Sequence, residues 1–215
     1  MGSSASLDIT SIFKKRFQAR YFKKDDIPKE ELINSLIKKA FDLVPSKQSL
    51  IPYSVVVFGP EQTKIKEKLW EAAAWHWQRN TKGRKHLGTV PLIAPYLILF
   101  CDRAVNDYSP AIKKLVARGD PYSVLNLNGD IPQKCIEVGM FATLLTGLCL
   151  EKNLAVSYTL CFPSNASLSK FIKDEELLGI NKVFLYMSIG YAKGDNFILE
   201  KDEYKPPFKN IVEWR

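Results

Sequence analysis

The stretch from Pro132 to about Asn153 constrains the fold more than any other part of this 215-residue chain. Its sequence, PQKCIEVGMFATLLTGLCLEKN, is apolar on nearly every side of a helix, and helices of that kind are buried. The longest apolar run inside it, Val138 to Leu150, is too short to cross a bilayer. The pattern therefore predicts a central helix that the rest of a soluble domain covers.

Four short segments rich in β-branched and aromatic residues predict strands at 53–59, 95–101, 154–162 and 183–191. Helical patterns are expected at 25–44, 61–78, 110–117 and 167–177. Helices that flank a mixed sheet predict an α+β (α/β-like) fold. We expect a flexible N-terminal segment at 1–12 and a single domain at 13–215, with an irregular insertion around 104–133.

The net charge of +8 favours anionic partners, such as a phosphorylated cofactor, nucleic acid or an acidic surface. The basic residues are dispersed over 14–24, 79–85, 113–118 and 201–209, and no single stripe carries interleaved aromatic residues. This dispersal makes a nucleic-acid-binding module the weaker alternative. The four cysteines form no CxxC pair and the two histidines no cluster, so the chain is typical of a reduced, cytoplasmic protein without a metal site.

Arg16 and Arg20 lie four positions apart in the segment KKRFQARYF (14–22). On a helix these positions share one face, so two guanidinium forks could converge on one phosphate. A solvated basic surface has the same spacing. The residues alone leave both interpretations open.

Five stretches, taken in order, carry a resemblance to a known family. They are RFQARYF (16–22), PSKQSLIPY (45–53), IEVGMFATLLTGLCLEKNLAVSYTLCF (136–162), VFLYMSIGYAKGD (183–195) and KPPFKNIVEW (205–214). Together they resemble the FMN-dependent nitroreductase family from about Phe13 to Trp214.

The resemblance implies that bound FMN takes hydride from NAD(P)H and passes it to a nitroaromatic, quinone or similar electron-poor acceptor. No catalytic side chain is implied, since the chemistry occurs at the flavin. The implied flavin contacts are the phosphate and ribityl clamps Arg16 and Arg20, with Phe17 and Gln18 between them; the loop residues Ser46 and Ser49; the turn Leu160–Cys161, through its backbone amide; and Lys205, at the phosphate. The basic residues Arg84 and Lys85 are candidates for a nicotinamide 2′-phosphate, with a solvated loop as the alternative.

The same resemblance implies a homodimer whose interface is formed by the central helix and holds two flavins. Ser49 and Ile51 stand where the family has asparagine and glutamine, and Pro206 replaces a basic residue. These departures keep alternatives open: another flavin reaction, such as dehalogenation, enone reduction or flavin reduction, or a non-catalytic flavin-binding protein. We expect no nucleic-acid or membrane partner.

Overall fold

The computed structural model describes residues 8–80, 90–119, 131–160, 182–194, 207 and 210–212. The elements in chain order are α1 (Ile9–Lys14), α2 (Glu30–Leu43), a 3₁₀ turn (Lys47–Ser49), β1 (Tyr53–Phe58), α3 (Thr63–Asn80), a second 3₁₀ turn (Val90–Ile93), β2 (Tyr96–Asp102), α4 (Pro110–Ala117), α5 (Ile131–Glu151), β3 (Ala155–Thr159) and β4 (Val183–Gly190).

The described strands form one sheet in the order β1-β2-β4-β3, and every strand pair is antiparallel. β2 is central, and its residues from Tyr96 to Cys101 are all buried. Alternate residues of a strand point to opposite faces, so burial of every residue means that both faces are covered. Ile98 and Phe100 pack with α2 and α5 in the larger hydrophobic cluster. Leu97 and Leu99 pack with α3 in a smaller cluster on the other face.

The α+β architecture expected from the sequence is confirmed. The parallel component of the expected mixed sheet is limited, among the described residues, to one isolated bridge between Gln18 and Val156. The short helix expected at 110–117 is present as α4, where the Ser109 hydroxyl accepts a hydrogen bond from the Ile112 N–H and caps the first turn. The helix expected at 167–177 lies outside the described residues.

Two boundaries differ from the expectation. The helix expected from residue 25 begins at Glu30 instead. Part of the N-terminal segment expected to be flexible is helical, because α1 starts at Ile9 and Asp8 caps it by accepting a hydrogen bond from the Thr10 N–H at 2.9 Å. The domain limits themselves stay a prediction.

α5 is buried along one side rather than all round. Its buried residues, including Phe141, Leu145 and Cys149, pack under the sheet with α2. Ile136, on another side, is 63% exposed. By length and composition alone α5 could cross a membrane, but half of its most apolar window is buried inside this fold. Within the chain, α5 is therefore a core helix with an apolar side left uncovered.

Candidate functional site

The segment that follows α1 runs along the outer edge of β3. Gln18 forms a parallel bridge with Val156, and the Ala19 N–H donates to the Val156 carbonyl at 3.1 Å. Farther on, Phe22 bridges Ala192 just after β4. Because β3 is an edge strand of the described sheet, this segment covers main-chain groups that would otherwise be unpaired there. This pairing holds the segment that contains Arg16 and Arg20 against the β3 edge of the sheet.

The Gln18 side chain continues this pairing. Its Nε2 donates to the Tyr158 carbonyl at 2.6 Å and to Ser157 Oγ at 2.9 Å, and its Oε1 accepts from the Tyr158 N–H at 3.3 Å. Both ends of the amide are therefore engaged by β3. The resemblance placed Gln18 beside the flavin ribityl chain, but in the described structure it positions the segment.

Arg16 and Arg20 do not share a helix. The argument that a four-residue spacing puts them on one helical face therefore does not apply. α1 ends at Lys14, and beyond it Gln18 and Ala19 pair with Val156 of β3. Arg16 and Arg20 flank these paired residues. Arg16 lies near Tyr158, whereas Arg20 lines a cavity beside α3. These different surroundings suit a long ligand contacted at two points better than a single phosphate gripped by both.

Arg16 is exposed and lies near the Tyr158 phenol. Burial raises the pKa of Tyr158 above its usual value, and the hydrogen bond with Thr146 and the positive charge of Arg16 oppose that rise. The Tyr158 hydroxyl contacts Thr146 Oγ1 and the Ala142 carbonyl, 3.1 Å away, so it is anchored to α5. Tyr158 is half-buried, and nothing in the sequence places it beside Arg16.

Phe17 and Arg20 take up different surroundings. Phe17 is half-buried and packs on a small cluster that contains Ala19 and Ala155. Arg20 is also half-buried and lines a cavity of about 250 Å³ beside α3. Phe17 is thus a packing residue of the segment, whereas Arg20 reaches open space.

The loop at 45–51 lies against α5 and not against β3. The Ser46 hydroxyl accepts a hydrogen bond from the Ile51 N–H at 2.9 Å and closes the loop. Ser49 and Ile51 adopt left-handed backbone conformations, with φ of 56° and 44°. Such conformations are uncommon outside glycine and strained for a β-branched residue. Ser49 itself is exposed.

Glu137 is the buried acid next to this loop. Its Oε1 accepts from Gln133 Nε2 at 3.1 Å and from the Lys47 N–H at 3.3 Å. In the described part of the chain, Glu137 Oε2 and the Tyr53 hydroxyl are buried without a hydrogen-bond partner. Burial and the nearby Glu137 charge raise the pKa of Tyr53. An open cavity of about 610 Å³, lined by Ser46, Glu137 and Met140 among others, adjoins them.

The remaining predicted contacts are only partly described. Leu160 follows β3 directly and is 71% exposed, so any role would fall to its main chain rather than to packing of its side chain. Cys161, Lys205, Arg84 and Lys85 lie outside the described residues. The structure thus brings Arg16, Gln18 and Leu160 to one end of the β3 edge, and it places Ser46 and Ser49 on a separate loop.

Residues 13–191 match the family model described as the nitroreductase family. The match contains the arginine segment, the loop and all four described strands. The chain belongs to the nitroreductase family. The resemblance that the sequence motifs carried is therefore confirmed, whereas none of the curated proteins matches the chain.

Solved structures share the fold at low sequence identity. A protein from Staphylococcus epidermidis, assigned as an NAD(P)H:FMN oxidoreductase, matches with a TM-score of 0.70 at 16% identity, covering 97% of this chain and 96% of the other. A protein from Exiguobacterium sibiricum, assigned as a nitroreductase and solved in complex with FMN, matches with a TM-score of 0.68 at 15% identity and covers 97% of each chain. A variant of the FMN- and NADPH-dependent nitroreductase NfnB from a Sphigopyxis species matches with a TM-score of 0.66 at 15% identity, covering 97% and 99%.

Proposed function

We propose that this chain is an FMN-dependent oxidoreductase that takes hydride from NAD(P)H and transfers it to a nitroaromatic, quinone or similar electron-poor acceptor. The observation that carries the proposal is the segment Arg16–Arg20. In a member of the nitroreductase family, it carries two arginines on either side of residues that β3 holds in place. The solved relatives assigned as FMN enzymes support the choice of cofactor.

The residues fit an elongated anionic cofactor. FMN has a phosphate at one end and a flat ring at the other, and two arginines in different surroundings, one near Tyr158 and one at a cavity beside α3, can contact different parts of it. A guanidinium binds phosphate through parallel, charge-assisted hydrogen bonds. In this proposal Arg16 and Arg20 contact the phosphate and the ribityl chain, and Gln18 keeps both at a fixed distance from β3. Lys205 would add a further contact at the phosphate, and Ser46 and Ser49 would line the ring.

The bound flavin supplies the two-electron chemistry. This chain's residues bind it, orient it and shape the space for substrate. In this proposal the main-chain N–H groups of Leu160 and Cys161 would donate to the flavin, so the identity of their side chains would matter little. Tyr158 is held by Thr146 and Ala142 on α5, and it keeps the end of β3 in register beside Arg16.

Flavin occupancy tests the assignment of the arginines. We expect the double variant Arg16→Ala/Arg20→Ala to fold but to lose bound FMN, because each charge-assisted bond to a phosphate contributes roughly 1.5–3 kcal/mol. The measurement is visible absorbance after FMN loading and desalting, with circular dichroism to check the fold. Lys14→Ala/Lys15→Ala removes two neighbouring exposed charges and is the matched control. Full flavin occupancy in the arginine variant would contradict the assignment.

The uncovered side of α5 supports a homodimer. Ile136 is exposed there, and Met140 and Leu144 are half-buried. Apolar surface on a core helix is typical of an obligate interface. We propose that two chains pair through α5 in the cytoplasm, so that both contribute to each flavin site. Light scattering should give the mass of a dimer; a stable, flavin-loaded monomer would contradict this model.

A further inference from the structure

The cavity beside Arg20 has a cationic wall. It lies where residues 20–27 pass the first turns of α3, and its volume is about 250 Å³. Arg20, Lys23 and Lys24 line it from the N-terminal segment, and Lys66 and Glu67 line it from α3. The rest of the wall is mainly apolar and includes Phe22, Ile27, Pro60 and Ile93.

Lys66 is the unusual member of this group. Lys66 is only 3% exposed. In the described part of the chain, its ammonium forms hydrogen bonds only with main-chain carbonyls. Nζ donates to the Ala94 carbonyl at 2.8 Å and to the Pro95 carbonyl at 2.9 Å. An ammonium has three N–H groups, so one remains for the cavity. No ion pair with a carboxylate is recorded for Lys66 among the residues that the structure describes.

A buried ammonium without a counter-charge is costly. Burial accordingly lowers the pKa of Lys66 to about 8, so the group is still mostly charged at neutral pH. An anion entering the cavity would supply the missing charge and the missing acceptor. The charge of Lys23, which also lines the cavity, is offset by Asp26 at 3.0 Å. Lys24 and Glu67 contribute one positive and one negative charge to the wall.

The wall also limits what the anion can be. Glu67 opposes a second negative charge, and the apolar residues favour an organic body over a bare inorganic ion. The volume is below the roughly 300–1,000 Å³ of sites for drug-sized ligands, so the ligand is smaller. We propose that this cavity binds a small organic monocarboxylate, with the carboxylate accepting the third N–H of Lys66 and the apolar body lying against Ile27 and Ile93.

Calorimetric titration with cyclohexanecarboxylate and its neutral isostere, cyclohexanecarboxamide, tests the proposal. We expect wild type to bind the carboxylate at least tenfold more tightly than the amide at pH 7. Lys66→Met and Lys66→Gln should each weaken carboxylate binding at least tenfold, and Gln keeps a donor for the two carbonyls. Lys64→Met removes an exposed lysine of the same helix and should bind like wild type. Absence of carboxylate binding in wild type, or equal affinity in the Lys66 and Lys64 variants, would overturn the proposal.

The pH dependence gives a second, substitution-free test. Carboxylate affinity should fall roughly tenfold between pH 7.5 and 9.5 as Lys66 loses its proton. The other titratable or charged groups at the cavity are Arg20, Tyr21, Lys24, the Lys23–Asp26 pair and Glu67. The same titration of Lys66→Met shows how much of the pH dependence comes from these groups. Affinity that stays constant over this range would contradict the role of Lys66. Flavin absorbance, recorded in parallel, separates a failure here from a failure of the proposed FMN site.

Discussion

Lys134 and Lys66 are both almost fully buried, at 7% and 3% exposure, but they meet opposite kinds of partner. Lys134, in the first turns of α5, contacts Asp102 Oδ1 at the end of β2 over 2.5 Å. Lys66, on α3, donates hydrogen bonds to the carbonyls of Ala94 and Pro95 and, among the described residues, to no other group. The two lie in different parts of the fold, one between α5 and the sheet and the other at the edge of a cavity.

This difference in partners distinguishes Lys134, a structural cation, from Lys66, which is available to a ligand. Lys134 and Asp102 neutralise each other and tie α5 to the sheet, so their pairing is complete within the chain. Lys66 lines a cavity, and its two carbonyl acceptors leave one of its three N–H groups unused. An anion that enters the cavity would stabilise such a buried charge. Burial alone therefore does not identify a functional lysine; the nature of its partners does.

The largest expected effect concerns the Lys134–Asp102 pair. Asp102→Asn leaves the more buried partner charged and unpaired, and we expect it to lower the free energy of unfolding by about 3 kcal/mol. Lys134→Met leaves Asp102, whose side chain is 35% exposed and can be hydrated, so we expect a loss of only about 1–2 kcal/mol. Urea unfolding measures both. If Lys134→Met lowers the free energy of unfolding more than Asp102→Asn does, the buried charge of Lys134 is not the reason that the pair stabilises the fold.

The stability of the protein at alkaline pH tests the burial of Lys66. The pKa of Lys66 is about 8 in the folded chain, against 10.5 as its ordinary value. Between these values the unfolded chain binds more protons, so the contribution of Lys66 to stability rises as pH increases from 8 to 10.5. We expect the unfolding free energy of wild type, minus that of Lys66→Met, to rise by about 2 kcal/mol over this window.

Two buried thiols act in the opposite direction and serve as an internal check. Burial raises the pKa of Cys101 and of Cys149 to about 12, so both stay protonated in the folded chain above pH 9, where the unfolded chain loses protons. Their contribution to stability is present below pH 9 and is lost as pH rises toward 12. It is common to wild type and Lys66→Met and cancels in the difference. A flat difference between the two proteins would mean that Lys66 keeps an ordinary pKa.

The smallest expected effect is that of Lys66→Met at pH 7. The substitution removes a buried charge but leaves two carbonyls without their donor. These opposing changes should lower the free energy of unfolding by less than about 1 kcal/mol. The same urea unfolding experiment measures it. A loss as large as that of Asp102→Asn would indicate that Lys66 has a structural partner equivalent to Asp102, and the contrast between the two regions would fail.

Local patterns predicted the elements of the fold well. β2 follows from a continuous apolar run, α4 from a serine cap before proline, and α5 from its length and apolarity. Local patterns did not show which side of α5 this chain leaves uncovered, because an apolar side looks the same in sequence whether this chain or another covers it. The family resemblance had implied that this helix forms a dimer interface. Family motifs, rather than periodicity, pointed to the flavin contacts.

The candidate site was harder to predict, because it depends on pairing between distant parts of the chain. Gln18 contacts Tyr158, 140 positions away, and this pairing with β3 takes the place of the helix that the spacing of Arg16 and Arg20 had suggested. Lys66 is likewise indistinguishable in sequence from Lys64 and Lys68 on the same helix. Only the return of the chain at Ala94 and Pro95 makes it a buried cation.

Anaerobic reduction of the FMN-loaded protein tests the proposed enzymatic function most directly. After loading and desalting, the protein should retain a yellow chromophore, and addition of NADPH or NADH should bleach its visible absorbance. Subsequent addition of a quinone or nitroaromatic should restore the colour. A protein that retains no flavin, or one whose bound flavin is not reduced by either nicotinamide, would contradict the assignment as an FMN-dependent oxidoreductase.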